Sequence, residues 1–274
     1  MLHALVNGLE TTTISVADRA VLYGDSVFET IAVRNQSPLL LEEHLNRLSY
    51  SSAALGIKYQ QTTLVDEINH LLLKHDASCA LRVTISRGEG GRGYRPDKDM
   101  DGTRILSLHD IPQQLKAQRS DGISLGLSSI KLAHQPRLAG HKHSNRLEQV
   151  LASMELTDSI DELVMLDADD HVTCCSKSNI FVLIADQWVT PKLSFAGIAG
   201  VMRKKIISLM KEHKMPLIES DSLTIKKLED AQAAFISNSL IGIVPVKNYM
   251  NTQLDSFQHC QPLIDLLEQS GCVL

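Results

Sequence analysis

Apolar positions change their period several times along the chain, and each change predicts a change of element. Residues 2–6 and 11–16 read as two strands joined across Asn7-Gly8, a dipeptide suited to a two-residue hairpin turn. The segment 23–31 follows, then a turn at Asn35-Gln36-Ser37-Pro38 and the apolar run 39–41. From 42 to 55 the spacing of Leu45, Leu48, Ser52 and Leu55 is helical, and Gly56 stops it. A second helix covers 62–74. Residues 81–86 and 104–108 alternate with period two, the mark of half-buried strands, on either side of a glycine-rich loop.

The stretch 113–122 is polar and unpatterned, so it is placed as a connection between a smaller N-terminal α/β domain (1–112) and a larger C-terminal domain (123–274). Beyond it, 123–127 and 163–165 read as strands, 145–157 as a helix, 171–184 as a hairpin pair and 200–213 as an amphipathic helix. Short apolar strands follow at 233–237 and 241–246. A terminal helix runs over 262–270, capped by Gly271. The pattern is that of a mixed α/β (α+β) chain without repeats.

Length and charge narrow the class. The 274 residues carry a formal net charge of −5, which excludes a basic nucleic-acid-binding protein read from bulk charge. Apolar residues make up 43% and charged ones 22%, the balance of a globular protein, and no low-charge apolar run reaches the ~18 residues of a membrane span. The first ten residues lack the layout of a signal peptide, so a cytoplasmic protein is expected. Five cysteines without a CxxC pair are expected to be reduced thiols, and eleven histidines without HExxH spacing imply no metal.

Four segments carry candidate chemistry. Gly88-Glu89-Gly90-Gly91-Arg92-Gly93 fits G-x-G-x-x-G, yet no helix opens after it, so it is not a dinucleotide loop. Its arginines either bring guanidinium forks to an anionic ligand or lie solvated on a surface loop, and the residues alone leave both readings open. Lys142 precedes a helix, and a lysine becomes a nucleophile or base when burial or neighbouring cations lower its pKa. The helix opening at Gly200 aims the amides of Val201 and Met202 at any anion there, and Ser237-Asn238-Ser239 adds hydroxyls in a turn. With Arg47 these groups can form a phosphate cup.

The segments Tyr23-Gly24-Asp25-Ser26-Val27-Phe28-Glu29-Thr30, Glu43-His44-Leu45-Asn46-Arg47-Leu48, Lys142, Ser178-Asn179-Ile180-Phe181, Gly200-Val201-Met202-Arg203 and Ser237-Asn238-Ser239 occur in the order seen in fold-type IV pyridoxal-phosphate enzymes. The chain resembles that family along nearly its whole length. Two stretches, 86–94 and 138–150, are most similar to the bacterial aminodeoxychorismate lyases within it.

The resemblance implies a two-domain fold of the D-amino-acid aminotransferase type, a homodimer, and pyridoxal 5'-phosphate at the domain junction. It implies Lys142 as the Schiff-base lysine and Thr30 as a proton-transfer residue. Arg47, Val201, Met202 and Ser239 are implied at the phosphate, with Asn179 and Cys174 also at the cofactor. Tyr23, Arg92 and Tyr94 are implied at the substrate. The activity implied is release of pyruvate from 4-amino-4-deoxychorismate to leave p-aminobenzoate, a folate precursor. Two alternatives stand beside it: a branched-chain or D-amino-acid aminotransferase, and a cofactor-binding protein without activity. One position departs from the family: Cys174 stands where a glutamate normally keeps the pyridine nitrogen protonated, and a thiol with an ordinary pKa near ~8.5 is mostly neutral at pH 7.

Overall fold

The computed structural model describes residues 1–274 as two compact units. Met1–Pro112 and His141–Asn145, with the terminal Leu274, make the first unit; Gln113–Gly140 and Arg146–Val273 make the second. No helix is long and apolar enough to cross a membrane.

In the first unit β1 (Ala4–Val6) turns through Asn7 (φ 48°) and Gly8 (φ 79°) directly into β2 (Leu9–Glu10), pairing Val6 with Leu9. The second strand expected at 11–16 does not form. Hydroxyls of Thr11 and Ser15 take the amides of Thr13 and Ala17, and such local bonds compete with a strand ladder. A short helix absent from the sequence pattern, α1 (Arg19–Tyr23), starts where Asp18 accepts the amide of Ala20 at 2.8 Å.

Then come β3 (Ser26–Arg34), β4 (Ser37–Pro38), α2 (Leu41–Leu55), α3 (Gln61–Leu72), β5 (Cys79–Ser86) and β6 (Arg104–His109). The antiparallel sheet has the order β2-β1-β6-β5-β3-β4. Alternation along β3 sends Val27, Ile31 and Val33 into a core with Leu45 and Leu48 of α2 and Leu64, Ile68 and Leu71 of α3. Phe28 and Thr30 therefore face the other side. The segment 142–144 joins the start of β3, where Phe28 N–H donates to the Lys142 carbonyl (2.9 Å) and Ser144 N–H to that of Ser26 (3.0 Å).

The second unit begins with α4 (Gln114–Asp121), which occupies the stretch 113–122 expected as the connection. Its Gln, Leu, Lys, Ala and Arg residues favour a helix, but it buries no side chain fully and so shows no apolar stripe. The remaining elements are β7 (Ile123–Leu127), α5 (Leu147–Ser153), β8 (Glu162–Leu166), β9 (Val172–Cys175), β10 (Asn179–Ile184), β11 (Gln187–Pro191), α6 (Val201–Glu212), β12 (Leu217–Ser220), α7 (Ile225–Glu229), β13 (Ala233–Asn238), β14 (Gly242–Tyr249), β15 (Thr252–Gln253) and α8 (Ser256–Gln269).

The main sheet runs β12-β11-β10-β13-β14-β7-β8-β9, with β15 on β14. The expected hairpin at 171–184 is not a paired ladder. β9 pairs with β8, and β10 with β11 and β13. Helix α8 starts six residues earlier than Pro262 suggested, because a proline inside a helix removes only its own amide bond when packing holds the rest.

Candidate functional site

In the first unit Lys142 is fixed by its neighbours on both sides. His141 Nδ1 meets Ser51 Oγ at 3.1 Å, and its ring stacks on Tyr50 with centroids 5.0 Å apart. Burial lowers the His141 pKa, so this ring is neutral at pH 7. On the other side Ser26 Oγ donates to Ser144 Oγ at 2.6 Å. The Lys142 Nζ sits 4.3 Å from the centroid of the Phe28 ring, and the Arg82 guanidinium 4.1 Å from that centroid. Arg82 is also the cross-strand partner of Thr30. An amine and a guanidinium thus gather around one aromatic side chain, with Thr30 on the same face of β3. Arg82 escaped the sequence reading because a charged residue in an alternating strand looks like an ordinary solvent-facing position.

Arg47 is held by a buried carboxylate. Its Nε donates to Glu29 Oε1 at 2.7 Å and its Nη2 to Glu29 Oε2, while His44 Nδ1 lies 2.6 Å from Oε2. Glu29 is buried on the core side of β3. Burial by itself would raise the Glu29 pKa, but the charges and hydrogen bonds of Arg47 and His44 outweigh it and bring the pKa down to about 2. The signal for this lock was a glutamate inside the apolar run Val27-Phe28-Glu29-Thr30-Ile31.

Tyr23 and Tyr94 belong to a third cluster, while Arg92 is exposed and bridges only to Arg95 of its own loop. Arg19, buried, donates to the carbonyls of Gly93 and Tyr94 (both 3.0 Å) and to Asp25 Oδ2 (2.9 Å), so it ties down the glycine-rich loop. Arg87 grips the same carboxylate and the carbonyls of Leu55 and Gly56. Burial would raise the Asp25 pKa; hydrogen bonds from Arg87 and Arg19 lower it overall. The Tyr94 ring is 88% exposed and tilts against Tyr23 at 5.5 Å.

In the second unit Gly200 offers no capping side chain, so the amides of Val201 and Met202 lack partners inside α6. Asn179 holds the approach to that helix, its Nδ2 donating to the Ile198 carbonyl at 2.9 Å. A Cβ on Gly200 would lie 2.1 Å from Asn179 Oδ1, so only glycine permits this close approach. Ser237 pairs across the strands with Asn179, which puts both on one face of the sheet, and its buried hydroxyl has no partner. Ser239 follows two residues on, in a turn where Asn238 Oδ1 accepts the amides of Leu240 (3.0 Å) and Ile241 (3.1 Å). Free amides at a helix N-terminus, with hydroxyls nearby, suit a phosphate. The fit to pyridoxal phosphate is good on this count.

Cys174 is buried with Met165, Leu132, Ala152 and Ala196. Burial and the Glu162 charge push its thiol up to about 12, against the pull of Arg146. The neighbouring strand β8 brings no carboxylate to the Cys174 side chain. Glu162 lies on the same face as Val164, whereas Met165 and Cys174 point the other way. Its Oε1 instead accepts the Lys177 amide and the Ser178 hydroxyl, both at 2.8 Å.

Comparison with known proteins gives one family. The model for amino-transferase class IV matches residues 26–249. The chain is 34% identical to the aminodeoxychorismate lyase of Vibrio harveyi, covering 88% of this chain and 89% of that one. It is 29% identical to a putative branched-chain-amino-acid aminotransferase of Methanocaldococcus jannaschii, over 85% and 81%. The crystal structure of 4-amino-4-deoxychorismate lyase from Pseudomonas aeruginosa superposes with a TM-score of 0.93 at 34% identity, covering 97% of this chain and 98% of that one.

Proposed function

The chain belongs to the amino-transferase class IV family, and on that premise we propose that it is a pyridoxal-phosphate-dependent aminodeoxychorismate lyase. The observation that carries the reading is the grouping of the Lys142 amine and the Arg82 guanidinium at the Phe28 ring, with Thr30 paired to Arg82 across the strands of the same sheet. Similarity to two lyases over nearly the whole chain supports it.

Lys142 would hold the cofactor aldehyde, and the amides of Val201 and Met202, with Ser237, Ser239 and Arg47, would hold its phosphate. When bound, the cofactor supplies a sink for the charge left on the carbon bearing nitrogen. The Lys142 amine would take the proton from that carbon. Thr30 gives a proton to the ether oxygen as the adjacent carbon–oxygen bond breaks. Pyruvate leaves and the ring becomes aromatic as p-aminobenzoate. Arg82 binds a substrate carboxylate bidentately and so fixes the ring over the base. Tyr23 from α1, with Arg92 and Tyr94 from the glycine-rich loop, would contact the substrate.

Cys174 favours elimination over transamination. A neutral thiol does little to strengthen the sink; aromatisation pulls the elimination forward, and no such pull acts on a reversible amino transfer. An exposed apolar stripe at helical spacing, Leu147, Val150, Leu151 and Met154, supports a homodimer. Five free cysteines suit a cytoplasmic home. The test is p-aminobenzoate formation from aminodeoxychorismate by purified protein with added cofactor, beside Lys142→Ala. Product from the wild type alone supports the lyase; none from a folded, cofactor-loaded wild type overturns it.

A further inference from the structure

Glu162, on β8 of the second unit, is a buried carboxylate that the chemistry above leaves unused. Its placement is unfavourable in itself. Burial pushes its pKa above the ordinary carboxylate value, against the pull of Lys177 and Ser178, and its Oε2 is enclosed without a partner. An unmade hydrogen bond at a buried oxygen destabilises a fold, and an apolar side chain of similar shape would remove that cost. What an apolar side chain could not supply is the acceptor Oε1.

Oε1 receives the Lys177 amide and the Ser178 hydroxyl, both at 2.8 Å, and so fixes the turn between β9 and β10. Within that turn Cys175 N–H donates to the Ser178 carbonyl at 2.8 Å and Ser176 N–H to the Leu163 carbonyl at 2.9 Å. Two lines of contact lead out of it. Ser178 passes directly into Asn179, whose Nδ2 holds the Ile198 carbonyl at 2.9 Å and whose Oδ1 abuts Gly200 at the α6 entrance. The Lys177 carbonyl accepts Asn238 Nδ2 at 3.3 Å, and Asn238 Oδ1 in turn takes the amides of Leu240 and Ile241, closing the turn that carries Ser239. The α6 entrance and the Ser239 turn therefore hang from adjacent residues, 177 and 178, and both of those from one oxygen.

We propose that Glu162 is a positioning residue for the cofactor phosphate: through Lys177 and Ser178 it sets the Val201 and Met202 amides and the Ser239 hydroxyl relative to one another. It touches no part of the cofactor. The inference rests on the phosphate site proposed above, and it holds for any reaction run on the cofactor. Because Glu162 acts as an acceptor, its oxygen matters here and its charge does not. Groups that converge on an anion are effective only when held in place beforehand, so loosening the shared anchor weakens the grip on the phosphate and leaves the grip on the ring alone.

Binding of pyridoxal 5'-phosphate to the full chain, compared with that of pyridoxal, which has the same ring and aldehyde without the phosphate, tests it by fluorescence quenching. The wild type prefers the phosphorylated form. In Glu162→Leu that preference falls about tenfold while pyridoxal affinity is unchanged. Glu162→Gln, which keeps an acceptor oxygen without the charge, holds the wild-type preference. Ser178→Ala removes one of the two bonds on Oε1 with little threat to the fold and lowers the preference about threefold, so the test stands even if Glu162→Leu does not fold. The phosphorus-31 resonance of the bound cofactor shifts in Ser178→Ala and not in Glu162→Gln. A preference undiminished in Ser178→Ala, or a loss in Glu162→Gln as large as in Glu162→Leu, overturns the proposal and leaves the phosphate site standing. A wild type without the preference removes that site and the proposal with it.

Discussion

Glu29 and Arg47 form a buried fork-to-fork pair, in which a carboxylate on β3 receives two hydrogen bonds from a guanidinium on α2. The arrangement fixes Arg47 before any anion arrives. It also makes the first unit sensitive to acid. Glu29 has its folded pKa lowered from 4.5 to about 2, so its contribution to stability is full above pH 4.5 and is lost as pH falls through about 2. The size is on the order of 3 kcal/mol. Urea unfolding of wild type and Glu29→Gln should differ most between pH 5 and 7, with the gap closing toward pH 2. A gap that stays constant with pH would refute the assignment.

Arg82 is expected to act on substrate binding. Arg82→Ala should raise KM for aminodeoxychorismate on the order of tenfold to a hundredfold, the worth of a charge-assisted bidentate bond, with a smaller change in kcat. Steady-state kinetics decide it. Arg82→Lys recovers only part of the loss, since an ammonium offers no fork.

Gly200 has an ordinary helical-entry φ of −61°, so a substitution there is opposed by contact with Asn179 and not by backbone strain. Gly200→Ala should cost ~1–3 kcal/mol of overpacking at the α6 entrance. Cofactor affinity, followed by fluorescence quenching, falls about tenfold as the Val201 and Met202 amides move. Shortening the neighbour in Gly200→Ala/Asn179→Ser recovers part of it. Equal affinities across the series would remove Asn179 from the explanation.

Arg19 is a positioning residue for the glycine-rich loop. Arg19→Lys keeps the charge but loses the fork that reaches Gly93, Tyr94 and Asp25 together. Trypsin cleavage after Arg92 should accelerate about tenfold as local opening becomes about 1.4 kcal/mol easier. KM rises while kcat is little changed. Unaltered cleavage would show that the loop holds itself.

Cys174, with its thiol pushed up to about 12, stays protonated and resists alkylation in the folded protein at pH 8. Cys174→Glu introduces a carboxylate beside Arg146. It should change the pH dependence of the bound cofactor's visible absorbance and raise amino transfer from D-alanine relative to elimination. Spectra and product ratios identical to wild type would mean that position 174 does not govern the ring nitrogen.

Periodicity alone located the long elements of this chain. The apolar spacing of Leu45, Leu48 and Leu55, the alternation through Leu81, Val83 and Ile85, and the glycine before Val201 are local properties, because a helix or strand exposes its period in consecutive residues. Lys142 and the Gly200 helix start were likewise legible as candidates from residue type, and Thr30 and Asn179 only through the family resemblance. Tertiary structure decided who their partners are. Glu29 locks Arg47 across 18 residues, Arg82 stands next to Thr30 across two strands, and Arg19 reaches more than 70 residues to the loop carbonyls. It also decided that 113–122 is a helix without a buried stripe and that β9 turns away from β10. Those outcomes depend on contacts between residues far apart in the chain, and their free energy appears only when the chain is closed. A sequence carries the periods that build each element, whereas pairing, burial and charge compensation belong to the assembled fold.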